Sequence, residues 1–143
     1  MARTILIVDD EESILRSLEG ILSDEGFEVI KAKSGAEAME KIQEEIPDLV
    51  LLDIWMPGKD GIETLADIKT SYPSLQVVMM SGHGTIETAV KATKVGAYDF
   101  IEKPLSLEKL LLSVNNALEH YRLELEINLL KEKENRKYSI TGH

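Results

Sequence analysis

The stretch DLVLLDIWMP, residues 48–57, constrains what this chain can fold into more than any other. Leu49 to Leu52 form an unbroken apolar run, bounded by Pro47 before it and by Pro57 and Gly58 after it. A run without apolar–polar alternation fits a strand covered on both faces, the situation of inner strands in a parallel sheet. Asp53 stands at the end of that run. In open α/β sheets the crevice beyond the strand carboxyl ends is where ligands and reacting groups sit. A carboxylate delivered there is a candidate nucleophile or metal ligand, although Asp is also a common turn former.

The remaining elements follow from periodicity and punctuation. Ile5 to Val8 read as a short buried strand. The spacing of Ile14, Leu15, Leu18, Ile21 and Leu22 predicts a helix over about Glu12 to Glu25, ended by Gly26. Phe27 to Ala32 alternate as a second strand, Ser34-Gly35 turn the chain, and Ala36, Met39 and Ile42 mark a second helix that stops before Pro47. After the Asp53 strand come a helix from Ile62 to about Thr70, a strand from Leu75 to Met80, and a helix from Thr85 to Lys94. In that last helix Ile86, Ala89, Val90 and Thr93 form the expected inner face, with Gly96 at its end. Tyr98 to Ile101 give the fifth strand. Strands alternating with helices at this spacing predict a doubly wound parallel α/β sheet.

That topology converts scattered polar residues into a site. The first strand runs directly into Asp9, Asp10, Glu11 and Glu12. Glu11 and Glu12 suit a helix N-terminus, where carboxylates offset the unpaired amides and the dipole. Asp9 and Asp10 would meet Asp53 if their strands are neighbours, and three clustered carboxylates repel one another unless a divalent cation joins them. Oxygen ligands without His or Cys point to magnesium. The turned loop after Asp53 offers a further ligand in a backbone carbonyl, that of Trp55. Ser81 at the end of the fourth strand is a turn residue by default, or a hydrogen-bond donor to a phosphoryl oxygen beside Asp53. Lys103, followed by Pro104, brings a cation to the same edge.

Composition narrows the class. Sixteen basic residues against 26 acidic ones give a net charge of −10, which repels a phosphate backbone and argues against nucleic acid binding by this chain. There is no cysteine, hence no disulfide framework and no thiolate metal site. No apolar run approaches the roughly 18 residues of a membrane span, and no signal-peptide pattern opens the chain, so a cytoplasmic location is expected.

Taken together, the motifs VDD, LLDIWMPGKDG, MMSGHG and EKP resemble the receiver domain of bacterial two-component response regulators over about Thr4 to Glu119. The resemblance implies a flavodoxin-like sheet of order 2-1-3-4-5. It implies that Asp53 accepts a phosphoryl group from a sensor histidine kinase, and that Asp9, Asp10, Asp53 and the Trp55 carbonyl hold Mg2+. Ser81 would bond the phosphoryl oxygen and Lys103 would pair with it. The only catalysis implied is phosphoryl transfer to, and hydrolysis from, the chain's own Asp53. Phe100 occupies the family's aromatic switch position, where many members carry Tyr. MMSGHG, the long final helix and the terminal ITGH most resemble sigma-54-dependent activators. An attached AAA+ domain, sigma-54 RNA polymerase and a DNA-binding domain are then the expected associates of a longer protein. Two rival readings fit less well. A haloacid dehalogenase-type hydrolase needs a second acid two residues after its nucleophile, where Trp55 stands. A flavodoxin-like cofactor binder needs a hydroxyl- and Gly-rich phosphate loop where four acids stand.

The C-terminal part divides the chain into a receiver, 1–119, and a helical linker, 120–143, leading toward an output domain. A helix from near Ser106 to about Asn135 is expected. Leu107, Leu111, Val114, Leu118, Tyr121 and Leu125 follow the alternating four- and three-residue steps of a coiled-coil seam. Beyond the part covering the sheet, Leu118, Tyr121, Leu125 and Leu129 are the expected homodimer contacts. Leu123, Ile127 and Leu130 make a second apolar stripe.

Overall fold

The computed structural model describes residues 2–54, 61–82, 86–103 and 106–141, with side chains as far as residue 131. Five strands and five helices alternate: β1 (Thr4–Val8), α1 (Glu12–Asp24), β2 (Glu28–Ala32), α2 (Gly35–Glu44), β3 (Leu49–Asp53), α3 (Gly61–Ser71), β4 (Gln76–Ser81), α4 (Ile86–Val95), β5 (Asp99–Glu102) and α5 (Leu107–Thr141). All strand pairs are parallel and the order is β2-β1-β3-β4-β5. Every residue of β1, β3 and β4 is buried, as their near-continuous apolar runs require.

Alternate strand residues feed two core layers. Leu6, Val8, Val50, Leu52, Val77 and Met79 join Ala38, Ile42, Leu65 and Ile68 beneath α2 and α3. Ile5, Ile7, Leu49, Leu51, Val78 and Met80 meet Leu15, Leu18 and Leu22 of α1 and Leu110, Val114, Ala117 and Leu118 of α5. Val8 pairs with Leu52, Asp53 with Met80, and Ser81 with Glu102, so the carboxyl ends of the inner strands finish nearly level. That level edge is what gathers the polar residues.

The helix ends explain the small shifts from the expected bounds. Gly26 takes φ +91°, its N–H donates to the Ser23 carbonyl, and the Phe27 N–H donates to Leu22. Phe27 therefore closes α1 in a Schellman turn, and β2 starts one residue later. In α2 the Ser34 hydroxyl accepts the Glu37 N–H, and the helix buries Gly35, Ala38 and Ile42 while Ala36 faces solvent. A Cβ on Gly35 would overlap the Thr64 hydroxyl, so the absence of a side chain lets α2 approach α3.

Two apolar faces differ from the sequence reading. In α4 the expected inner face looks outward: Ile86 is 84% exposed and Val90 47%, and Thr93 is also exposed. Ala92 is its one fully buried residue, and Val95 packs half-buried against the same layer. In α5 the sheet is covered by Leu110, Val114, Ala117 and Leu118, with Leu107 half out in solvent. Leu118, expected in a dimer seam, is 2% exposed and committed to the receiver's own core. The helix runs unbroken through residues 119–120. It still meets the body beyond them, where Asn128 donates to the Ser74 hydroxyl (3.3 Å) and Gln76 reaches Glu124 (3.5 Å). Among the described residues no helix is long and apolar enough to cross a membrane.

Candidate functional site

Asp9, Asp10 and Asp53 each place a carboxylate oxygen within 4.8 Å of the others at the carboxyl edge of β1 and β3. The backbone fixes two of them tightly. Asp9 continues the β1–β2 pairing, its N–H donating to the Ala32 carbonyl (3.1 Å). Its Oδ1 then accepts the Glu11 N–H (3.0 Å), turning the chain into α1. The N-terminus of α1 is thus held by Asp9. Glu11, in the capping position, makes no side-chain cap, and Glu12 turns away to pair with Lys33 at 2.6 Å. Asp53 is the last residue of β3, and the strand pairing persists beyond it through Ile54 N–H to the Met80 carbonyl (3.0 Å).

Gly61 was not singled out by its sequence, yet it seats the Asp53 backbone. Its N–H donates to Ile54 (2.8 Å), and a Cβ there would lie 2.3 Å from the Asp53 carbonyl oxygen. The available signal was a Gly opening a helix straight after a turned loop.

Lys103 reaches in from the end of β5. Its N–H donates to the Ser81 carbonyl (2.7 Å), carrying the β4–β5 pairing one residue further. Its ammonium lies 2.8 Å from Asp9 Oδ2 and 3.4 Å from Asp53 Oδ1. Ser81 is buried and directly follows Met80, the pairing partner of Asp53. Phe100 is half-buried and packs against the layer under α2, α3 and α4. Trp55 lies outside the described residues.

The electrostatics are those of an incomplete charge balance. Burial, and then the neighbouring Asp9 carboxylate, push the Asp53 carboxyl from 3.8 up to about 6, a rise that Lys103 only partly opposes. Burial works against the Lys103 ammonium, but its hydrogen bond to Asp9 and the charges of Asp53 and Asp9 leave its pKa raised. Lys103 is therefore a fixed cation. Three carboxylates facing one ammonium fit a hard divalent cation held by oxygen donors, and Asp10, on the exposed side, leaves it an approach from solvent.

A parallel five-stranded α/β domain with an acidic cluster, a hydroxyl and a lysine at one strand edge defines the class, and the family comparison agrees. Residues 5–115 match the response regulator receiver domain, and the chain belongs to that family. The haloacid dehalogenase and flavodoxin-like readings are thereby set aside. Among individual relatives, it is 48% identical over 134 residues to the nitrogen assimilation regulatory protein NtrX of Azorhizobium caulinodans, covering 92% of this chain and 30% of that protein. NtrX of Brucella abortus in complex with ADP superposes with a TM-score of 0.85 at 49% identity, over 91% of this chain and 30% of that one. The beryllofluoride-activated NtrC4 receiver domain dimer gives a TM-score of 0.79 at 47% identity, over 82% of this chain and 98% of that one. The chain thus spans about 30% of the length of the NtrX proteins it matches.

Proposed function

We propose that this receiver is a phosphorylation switch whose acceptor is Asp53. The observation that supports this most is the placement of the Lys103 ammonium against both Asp9 and Asp53, beside three carboxylates that share one strand edge. Asp9, Asp10 and Asp53, with the Trp55 carbonyl, would hold Mg2+. When bound, the cation offsets negative charge on the phosphoryl oxygens and on the attacking carboxylate. An Asp53 carboxylate oxygen attacks phosphorus in line. As that O–P bond forms, the P–N bond to the histidine of a sensor kinase breaks, and its electron pair stays on the ring nitrogen. Lys103, already charged and positioned, pairs with the incoming phosphoryl group and shields it from Asp9. Ser81 donates its hydroxyl to a phosphoryl oxygen, and Phe100 repacks as Ser81 moves, shifting the population between two packings of β4, α4 and β5. Hydrolysis of the mixed anhydride returns Asp53 to its starting state.

We read its role as transcription control within the cytoplasm, in keeping with its likeness to a nitrogen assimilation regulatory protein. In the whole protein the receiver would govern an AAA+ output domain that acts on sigma-54 RNA polymerase beside a DNA-binding domain. The part of α5 beyond residue 119, which still meets the receiver through Glu124 and Asn128, would link the receiver to that output domain and serve self-association. The test is incubation with acetyl phosphate and magnesium, followed by intact mass. One added phosphoryl group is expected, lost in Asp53→Asn and lost when EDTA replaces magnesium. Equal modification of Asp53→Asn overturns the assignment.

A further inference from the structure

The turn between α3 and β4, residues 72–75, lies at the amino edge of the sheet, where α4 ends and where α5 leaves the receiver. It is closed by the Leu75 N–H, which donates to the Tyr72 carbonyl (3.0 Å). From the last turn of α3 the Lys69 ammonium donates to the Pro73 carbonyl (2.7 Å) and the Leu75 carbonyl (3.0 Å), so one cation fixes the shape of the turn. The stem of Lys69 runs against the end of α4. Gly96 there takes φ +124°, and its N–H donates to the Ala92 and Thr93 carbonyls (both 3.1 Å). A Cβ on Gly96 would lie 3.2 Å from the Lys69 Cγ and 3.3 Å from its Cε. A stem packed this closely must follow the end of α4 when that end moves.

The other side of the same turn holds α5. Tyr121 lines a shallow cavity with Ile46, Tyr72, Pro73 and Leu75. Ser74 accepts the Gln76 amide on its carbonyl (2.9 Å) and the Asn128 amide on its hydroxyl (3.3 Å), and Gln76 also reaches a Glu124 carboxylate oxygen (3.5 Å). His120 bonds the other Glu124 oxygen (3.1 Å), and its ring lies 5.5 Å from that of Tyr98, just past Gly96. Burial lowers the Lys69 pKa and the Glu124 charge opposes that fall, so the cation and the α5 carboxylate are within electrostatic reach.

We propose that Lys69 is a relay between α4 and the part of α5 beyond the receiver: its ammonium keeps the 72–75 turn in the shape that grips Glu124 and Asn128, and its stem passes a displacement of α4 to that turn. The relay deepens the proposed switch and rests on that reading for the movement of α4. When α4 repacks, the Gly96 backbone shifts against the stem and the ammonium is drawn from the Pro73 and Leu75 carbonyls. Ser74 and Gln76 then lose the setting in which they hold α5. Helix α4 spans the sheet from its carboxyl edge to its amino edge, so a signal that begins at Asp53 reaches the opposite end of the receiver through it. The coupling is reciprocal, and a loosened grip on α5 favours the repacked α4.

Hydrogen exchange of the full chain, read by mass spectrometry with and without beryllofluoride and magnesium, tests the relay. In the parent, the ligand should speed exchange over residues 121–131 by about fivefold or more, together with changes over 86–103. Lys69→Met keeps the stem and removes the ammonium. It should speed exchange over 121–131 without the ligand, beyond any general change read over α1, and abolish the further rise on adding it while 86–103 still respond. Glu124→Gln/Asn128→Ala leaves Lys69 and the turn intact, and should lower the beryllofluoride concentration for half-maximal change over 86–103 by about twofold or more. If circular dichroism shows Lys69→Met to be unfolded, this double variant decides alone. An unchanged midpoint in the double variant overturns the relay, as does parent-like exchange over 121–131 in Lys69→Met or a ligand response there that persists. A parent in which 86–103 respond and 121–131 do not overturns the relay and leaves the switch standing, whereas no response in either segment removes both.

Discussion

Replacing Asp53 with Asn should make the metal-free protein more stable near neutral pH, although it removes the central residue of the site. The carboxyl is held at about 6 rather than 3.8, chiefly by burial and then by Asp9. Between those values the folded state binds a proton that the unfolded state has released, so stability falls as pH rises through that window. Above pH 6 the folded protein carries the full cost of a buried, crowded carboxylate, about 3 kcal/mol as an upper figure. Asn is uncharged at every pH and does not bear this cost, and Lys103 keeps Asp9 at 2.8 Å as a partner. The advantage of Asp53→Asn over the parent should therefore approach about 3 kcal/mol at pH 7.5 and fall to about half of that at pH 5. Urea unfolding in EDTA, followed by circular dichroism, measures it, and a gain of about 2 kcal/mol moves the midpoint by about 1 M for a domain of this size. Magnesium should narrow the gap, since it binds and stabilises the parent more than the variant. A gap that is absent, or that stays constant from pH 7.5 to pH 5, refutes the view that burial and Asp9 strain this carboxylate.

Three further outcomes follow from named contacts. Gly61→Ala places a Cβ 2.3 Å from the Asp53 carbonyl oxygen, a backbone atom that must shift, so stability should drop by roughly 1–3 kcal/mol and acetyl phosphate modification should slow; unchanged rate and midpoint would show the approach is not tight. Lys69 donates to the Pro73 and Leu75 carbonyls at 2.7 and 3.0 Å, so Lys69→Met, which keeps the stem beside Gly96, should cost roughly 1–3 kcal/mol in thermal or urea unfolding. Asp10→Ala should weaken magnesium binding, read by Trp55 fluorescence or calorimetry, by roughly tenfold or more, equivalent to about 1.4 kcal/mol; Glu12→Ala should leave it unchanged, because Glu12 is engaged with Lys33.

The site was more legible than the surfaces around it, and the reason is geometric. A parallel strand delivers its last residue to one edge whatever its neighbours do, so Asp9, Asp53, Ser81 and Lys103 could be placed from strand ends alone. Their mutual distances could not, because these depend on the near-level finish of the strands. The roles of Asp9 were also hidden: one carboxylate turns the chain ahead of α1 by accepting the Glu11 N–H and holds the Lys103 ammonium with its other oxygen. Acidic residues at a helix start suggested that Glu11 and Glu12 do the capping, but Glu11 makes no side-chain cap and Glu12 pairs with Lys33.

Helices α4 and α5 misled for a shared physical reason. Apolar spacing locates a stripe but does not say which of two stripes meets the sheet. In α4 the inner side is carried by Ala92 and Val95, and the larger Ile86 and Val90 are the ones left outside. In α5 the competition is between two sets of large residues, and it is decided by local geometry: Leu110, Val114, Ala117 and Leu118 fill the layer beside α1. Of the steps from Leu107, Val114 and Leu118 lie in that layer and Leu111 packs against it, while Leu107 itself, 52% exposed, lies off the sheet. Once Leu118 and Tyr121 are assigned to the receiver, Leu123, Ile127 and Leu130 are turned away from it by the pitch of the helix itself. One side of α5 is thus taken up by its own receiver, with Gln76 and Ser74 gripping Glu124 and Asn128, so a change in that grip would reorient the exposed stripe without touching it.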